Sequence, residues 1–434
     1  MDRGPRDHPS SGPSSAVPAS GTKARPGWGL LAALTALNIL SFVDRQLVVT
    51  LAPLLMEDLG LTRAEIGLLV GASFIVVFSG LTLVMGAAAD RFGRPRLIAL
   101  GLGAWSVATA ATGAARSFAH LVLLRTAVGV GEATLSPAAL SMLSDRFPPA
   151  RLGFASSVFY AGIPLGFALS FVLAGFIGPW LGWRACFVLL GLSGLVAVVA
   201  VAAMRDPGRT GSDRRERLAP VEMARGLVRA IVDRPAIALV SLAGALFAFA
   251  SGASQHVITW LVQERGFEYS RAAFLSAAVV AGGGLVGNIA MGVLTDRGRR
   301  LHPAGRLVVT ALLSGLAFPL ACAFYLMPPT SPFFVPVWFL AQAWMLGWFG
   351  PVLAALAELA PSGLRATVLG FGLLTINLLG VALGPWVAGF IGDRTSLTAG
   401  LVASLAVGAM GLVPLLAAAW LLARPAAASA SRAD

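Results

Sequence analysis

Residues 86–94 read Gly86-Ala-Ala-Ala-Asp90-Arg91-Phe92-Gly93-Arg94, and residues 292–300 read Gly292-Val-Leu-Thr-Asp296-Arg297-Gly298-Arg299-Arg300. The second stretch is the first with one residue removed, 206 positions further on. Another correspondence runs at a spacing of 214: Arg151 and Gly175-Phe176-Ile177-Gly178 recur as Arg365 and Gly389-Phe390-Ile391-Gly392. The chain therefore repeats itself, and each copy of the basic loop follows a long apolar run.

Composition says what those runs are. Apolar residues make up 57% of the 434 and charged residues 12%, against roughly 45–50% and 25% in soluble domains. Too little polar surface remains to cover a soluble fold, which excludes a soluble enzyme, a nucleic-acid binder and a disordered chain. A bilayer core asks for about 20 apolar residues per helix. Twelve runs meet that need: 28–56, 64–89, 95–114, 118–144, 152–178, 182–204, 235–262, 270–295, 303–326, 334–358, 366–392 and 396–423. They are numbered here as spans 1 to 12. Thr62 and Glu65 have capping-box spacing before span 2, and Pro95 sits where a first helical turn tolerates it. The expected fold is all-α and membrane-integral, with twelve transmembrane helices in two pseudo-symmetric six-helix bundles, 28–204 and 235–423. Residues 1–27 and 424–434 read as tails on the cytoplasmic side, the first rich in Pro, Ser and Gly, disordered, and without a signal peptide's apolar region. Residues 205–234 form a basic linker in which 216–232 is patterned as an amphipathic surface helix.

The net charge of +12 follows from topology. With both termini cytoplasmic, 24 of the 32 Lys and Arg fall on the cytoplasmic side and six on the other, and Arg45 and Arg125 lie inside helices. This is the positive-inside asymmetry of a multi-pass protein of the cell's inner or plasma membrane. Trp180, Trp183 and Trp260 fall near outer helix ends, where interface anchors belong. Two parallel halves joined by a long linker describe a transporter that rocks two bundles about a central site.

Four ionisable residues lie deep within spans: Asp44 and Arg45 on span 1, Arg125 and Glu132 on span 4. A charge in hydrocarbon is costly and marks function by default. Arg125 and Glu132 are seven apart and share a helix face, and Asp44 falls between them in depth. The set holds two charges of each sign. It reads either as an ion network tying span 1 to span 4, or as a site for an anionic group, with or without proton coupling. A carboxylate in a low-dielectric setting is able to exchange a proton near neutral pH, and arginine keeps its charge. The second half holds no such charge. Its polar membrane residues include Ser254, Gln255 and His256 on span 7, Asn288 on span 8 and Asn377 on span 11, for which hydrogen bonds between helices are the first expectation. A charged wall facing a largely apolar one suits a solute with a polar head and an apolar tail.

The loop Gly86-x-x-x-Asp90-Arg91-x-Gly93-Arg94 resembles the loop between helices two and three of the major facilitator superfamily. The resemblance implies that Gly86, Asp90, Arg91, Gly93 and Arg94 latch a cytoplasmic gate. Pro95 departs from that family's pattern, which has another basic residue there. Several segments resemble the Spinster-like branch of sphingolipid and lysophospholipid transporters: Phe42-Val43-Asp44-Arg45; Arg125-Thr-Ala-Val-Gly129-Val-Gly131-Glu132; Ser144-Asp145-Arg146-Phe147; and Phe159-Tyr160-Ala161-Gly162-Ile163-Pro164. Anion:cation symporters carry a similar Asp-Arg and Arg…Gly-x-x-Glu-Ala. The resemblance implies that Asp44, Arg45, Arg125 and Glu132 form the substrate and proton site, with Tyr160 near the cavity. It further implies proton-coupled alternating access for an amphipathic anionic or zwitterionic solute, or for a small organic anion.

The expected partners are the solute, protons and membrane lipids, with the chain a monomer and no nucleic acid bound. Gly282–Gly287 matches G-x-G-x-x-G but lies inside an apolar span with no strand before it, so it reads as helix packing. No Walker lysine, no H-E-x-x-H and no metal-ligand spacing occurs. Cys186 and Cys322 sit in apolar runs as free thiols. No cofactor, metal or catalytic residue is expected, and a proton gradient is the driving force.

Overall fold

The computed structural model describes residues 27–204, 220–361 and 363–423, and all regular structure among them is helical. Ten stretches are long and apolar enough to cross a membrane. One of them, Phe154–Ala202, is 49 residues long. It turns at Gly182, whose φ of 76° only glycine adopts cheaply, and so holds both span 5 and span 6. Span 3, Arg94–Thr112, begins with two arginines and is shorter, and completes the twelve. The protein is a multi-pass integral membrane protein.

Several spans are broken where the sequence dictates. Span 4 runs Phe118–Glu132, pauses, and resumes as Leu135–Arg146. Pro137 has no N–H for the Ala133 carbonyl and its ring crowds that oxygen, so the regular helix stops just after Glu132. Span 7 contains a 3₁₀ turn at Ser254–His256, and span 11 a π-turn at Ile376–Val381. Such irregularities mark hinges and functional positions.

The halves meet at one end. That end carries residues 60–62, 264–268 and 395–396 and is poor in arginine. Here the apolar core is continuous between the halves, joining Leu47, Leu51, Leu55 and Ile66 to Ile258, Leu261 and Leu401. Spans 2 and 11 touch backbone to backbone. A Cβ on Gly67 would lie 2.4 Å from the Pro385 carbonyl oxygen, and one on Gly389 2.3 Å from that of Arg63. Tyr269 Oη donates to the Thr50 carbonyl (3.1 Å), and Asn377 Nδ2 donates to Ser79 Oγ (3.0 Å). Toward the arginine-rich end the first half keeps a separate core of Leu34, Leu102, Trp105, Met142 and Phe159.

The internal repeat reappears as paired ion pairs at the arginine-rich end. Arg94 pairs with Asp145 in the first half, and Arg306 with Glu358 (3.0 Å) in the second. The residues correspond at spacings of 212 and 213, so each half braces the start of its third helix against the end of its fourth in the same way.

Two tryptophans correct the sequence reading. Trp260 and Trp183 are not interface anchors; they are 0% and 3% exposed. Trp260 packs among Phe324, Tyr325 and Phe334 and donates to Thr398 Oγ1, and Trp183 donates to Asp58. A buried indole N–H with a partner inside the bundle gains nothing from the headgroup layer. Trp180, 84% exposed, fits the anchor role.

Glu264 closes the start of span 12. Its carboxylate accepts from the Leu397 and Thr398 backbone N–H groups and from Thr398 Oγ1. Burial opposes its ionisation, but these hydrogen bonds and the Arg63 charge outweigh burial and hold the carboxyl below the usual glutamate range. Its stabilising contribution is therefore complete above the ordinary glutamate pKa and is lost as pH falls through the lowered one. Glu264→Gln should lower the melting temperature in detergent at neutral pH, with the gap to the parent closing as the pH drops below the glutamate range. A gap that is constant with pH would remove the carboxylate from this role. Packing makes a second test. A Cβ on Gly287 would lie 1.7 Å from the Ala343 carbonyl oxygen, whereas one on Gly292 meets nothing within 4 Å. Gly287→Val should cost about 1–3 kcal/mol by overpacking, read as a lower melting temperature, and Gly292→Ala should leave it unchanged.

Candidate functional site in the first half

Span 1 presents Asn38, Ser41 and Arg45 along one stripe, at spacings of three and four residues. Asn38 Nδ2 donates to the Phe159 carbonyl (2.7 Å), which seats span 1 against span 5. One turn on, Ser41 Oγ donates to Glu132 Oε2 (2.7 Å), and Arg45 Nε donates to the same oxygen (2.6 Å). Asp44 points about 100° round the helix from Arg45. Its Oδ1 accepts from Arg125 Nη1 (3.0 Å) and its Oδ2 from Thr109 Oγ1 of span 3.

The structure thus brings all four charges together as two crossed pairs. The acid of span 1 holds the arginine of span 4, and the arginine of span 1 holds the acid of span 4. Each helix supplies one charge of each sign, so the cluster is neutral and binds spans 1, 3 and 4 into one unit. Asp44 and Arg125 are each 2% exposed and Glu132 is 0% exposed, whereas Arg45 is 18% exposed. Arg45 is the member that reaches accessible space.

Its surroundings are aromatic. The Arg45 guanidinium carbon lies 4.6 Å from the Phe42 ring centre, 4.9 Å from Phe74 and 4.2 Å from Phe78. Phe42 in turn meets Phe167 edge to face (5.8 Å). Cation–π contacts of this kind hold the guanidinium plane in place. Nε is spent on Glu132, while neither terminal nitrogen has a hydrogen-bond partner among the described residues. A planar fork of two N–H-bearing nitrogens, fixed by rings, is suited to a bidentate oxyanion. Glu132 Oε1 and Arg125 Nε are buried without partners, so the cluster also keeps unused hydrogen-bonding capacity.

The remaining positions separate. His256 Nε2 lies 2.8 Å from the Pro385 carbonyl, linking the broken spans 7 and 11, and Asn377 joins the halves through Ser79. Two others correct the expectation of bonds between helices: Ser254 Oγ donates to Ser251 and Asn288 Nδ2 to Gly284, each on its own span. Gln255 is half-buried on the 3₁₀ turn, and Tyr160, 44% exposed, packs edge to face on Phe159. Among the described residues, none of these forms a hydrogen bond or ion pair with the quartet. In the loop, Gly93 adopts φ 85° and lets the chain turn from span 2 into span 3. Arg94, buried, bonds Asp145 and Ser141 Oγ of its own half. The side chains of Gly86, Asp90 and Arg91 lie outside the described residues.

Sequence reasoning missed Ser41, Thr109, Phe74 and Phe78. Ser41 was findable, four residues before Arg45 on the same face. Thr109 is one of several threonines on span 3, and nothing in its neighbours sets it apart.

A family profile described as Major Facilitator Superfamily matches residues 34–378. The chain is similar to an "MFS-type efflux pump" of Mycolicibacterium smegmatis, 28% identical over 375 residues, 85% of each chain. It is 27% identical to "Protein spinster homolog 1" of Homo sapiens over 392 residues, 84% of this chain and 73% of the relative. A solved structure of a bacterial homologue of the human lysosomal transporter Spinster superposes with a TM-score of 0.76 at 24% identity, covering 91% of this chain and 96% of that one.

Removing one member of the Asp44–Arg125 pair strands the other in a dry interior. Asp44→Ala and Arg125→Ala should each cost about 3–5 kcal/mol, seen as a large loss of thermal stability in detergent. The double variant should cost less than the sum of the two. Strict additivity would show that the pair is not coupled.

Proposed function

The chain belongs to the major facilitator superfamily and is Spinster-like, and on that premise we propose that it is a proton-coupled carrier of amphipathic anionic or zwitterionic solutes. It is a transporter and not an enzyme. The observation that carries the proposal is the partly accessible Arg45, its terminal nitrogens without hydrogen-bond partners among the described residues, in an otherwise sealed, neutral quartet. An oxyanion head accepts from the two terminal nitrogens of Arg45, and an apolar tail lies along Phe42, Phe78 and Phe167.

Coupling follows from the shared partner. Glu132 and the solute compete for the same guanidinium. A proton on Glu132 weakens its hold on Arg45 and leaves more of the positive charge for the solute, so each ligand favours the other's binding. Asp44 stands behind Arg125 in the same role. The quartet lies wholly on one half, so a head bound there has to be covered by the second half when the bundles rock. A relative named as a probable sphingolipid transporter in Arabidopsis thaliana, 28% identical over 221 residues, supports an amphipathic solute, and one named as a probable sulfoacetate transporter in Cupriavidus necator, 30% identical over 283 residues, supports an anionic head.

The test is transport in proteoliposomes, following a labelled lysophospholipid with and without an imposed pH gradient. The gradient should drive movement in the parent, and Glu132→Gln and Asp44→Asn should lose the dependence on the gradient. Arg45→Ala should impair anionic solutes more than neutral ones, and Arg45→Lys should not restore them, because an ammonium lacks the fork. Equal impairment of both would give Arg45 a structural role only. No movement of the lysolipid by folded protein, with movement of a small carboxylate or sulfonate, would assign the site to small organic anions.

A further inference from the structure

The two helices that open each half's second hairpin start differently. In span 8, the backbone N–H groups of Ser270 and Arg271 donate to Glu268, a residue of the same turn (2.8 and 2.9 Å). The corresponding groups of span 2, 207 positions earlier, belong to Arg63 and Ala64. They donate to Asp393 Oδ1 and Oδ2 (2.9 Å each), and Asp393 lies at the end of span 11 in the opposite half. Span 8 caps itself, whereas span 2 borrows its cap. Thr62 and Glu65 complete a local capping box, but that box uses the Thr62 and Glu65 N–H groups and leaves 63 and 64 to Asp393.

The exchange is reciprocal. Arg63 Nη1 donates to the Gly392 carbonyl (2.7 Å), one of the terminal oxygens that span 11 leaves unpaired. Arg63 Nε donates to Gln263 Oε1 (3.1 Å), and Glu264 Oε1 lies 3.6 Å from Nη1, so span 7 joins the same node. Gly389 lets the two backbones approach closely enough for all of this. A carboxylate at a helix N-terminus and a cation at a C-terminus are each favoured by the local dipole. The repeat-related contact of spans 5 and 8 lacks these elements. There Ser270 Oγ donates to the Gly175 carbonyl (2.9 Å), and Pro179 stands where the second half has Asp393.

We propose that the exchange of helix caps between Arg63 and Asp393 is the latch that holds the arginine-poor end of the transporter shut, carried by spans 2 and 11 with Gln263 and Glu264 at the end of span 7 beside them. Opening that end separates the two halves, so it must break both caps at once, whereas the polar contact between spans 5 and 8 among the described residues is the single Ser270 hydroxyl bond, set in apolar packing. The inference rests on the alternating opening of the family's two bundles and not on which solute or ion is carried.

The experiment measures spin-label distances in the full chain in nanodiscs without substrate. Cys186 and Cys322 are replaced by alanine, and labels are placed at Glu57→Cys and Arg271→Cys, exposed positions of opposite halves at the shut end. The parent should show mainly the short distance. Asp393→Asn should raise the long-distance population roughly tenfold, a shift of about 1.4 kcal/mol, and Ser270→Ala should leave it unchanged. Should the asparagine variant fail to fold, Arg63→Gln, which keeps Asp393, carries the same expectation. A short distance that persists in the folded variants would overturn the latch. So would an equal opening by Ser270→Ala, which would make the whole seam responsible. Because no solute is present, failure here is separable from failure of the transport reading.

Discussion

A charge inside hydrocarbon has to find its opposite, and much of the first half is arranged around that constraint. Span 1 carries an acid beside a base, span 4 a base two turns from an acid, and antiparallel packing lets each satisfy the other. The arrangement fixes the rotation of both helices. Turning span 1 by one residue, about 100°, would carry Asp44 toward Phe74 and Phe78 and swing Arg45 away from Glu132. The break in span 4 falls beside the quartet. Regular helix ends at Glu132, and the residue-level kink set by Pro137 lies directly beyond it, at the level where Ser41 and Arg45 converge.

Neutrality alone would make this cluster a structural brace. It differs from one in its unequal exposure. Three members are sealed, and the fourth has rings about its guanidinium and terminal nitrogens without hydrogen-bond partners among the described residues. A brace gains by closing every hydrogen bond, whereas Glu132 Oε1 and Arg125 Nε have no partner among the described residues, which is the reserve that the proposed binding role would use. The second half offers no counter-charge, so any attraction between the halves at this level has to come through a ligand or through neutral contacts such as Asn377–Ser79.

The two ends of the molecule are held by different chemistry. At the arginine-rich end, ion pairs brace each half internally: Arg94 with Asp145, and Arg306 with Asp296 and Glu358. At the arginine-poor end, helix termini of one half satisfy those of the other. Internal bracing lets a half move as a rigid body, and traded caps tie two rigid bodies together at one edge. Both fit the proposed rocking of two bundles.

The sequence by itself determined the twelve spans, the duplication and the four buried charges. These properties are local or periodic: hydrophobic run length, repeated loop chemistry, and charges that have no business in an apolar run. The Arg63–Asp393 exchange was invisible, because it joins residues 330 apart that each look like ordinary loop charges. Thr109 and the phenylalanine cage were hidden for the same reason; a threonine or phenylalanine in an apolar helix carries no signal until its neighbours are known. Trp183 and Trp260 were misplaced because distance along a helix reports depth but not whether a face meets lipid or protein. Tertiary structure alone decided which charge meets which and which arginine stays open, since that depends on helix rotation and on contacts between residues far apart in the chain.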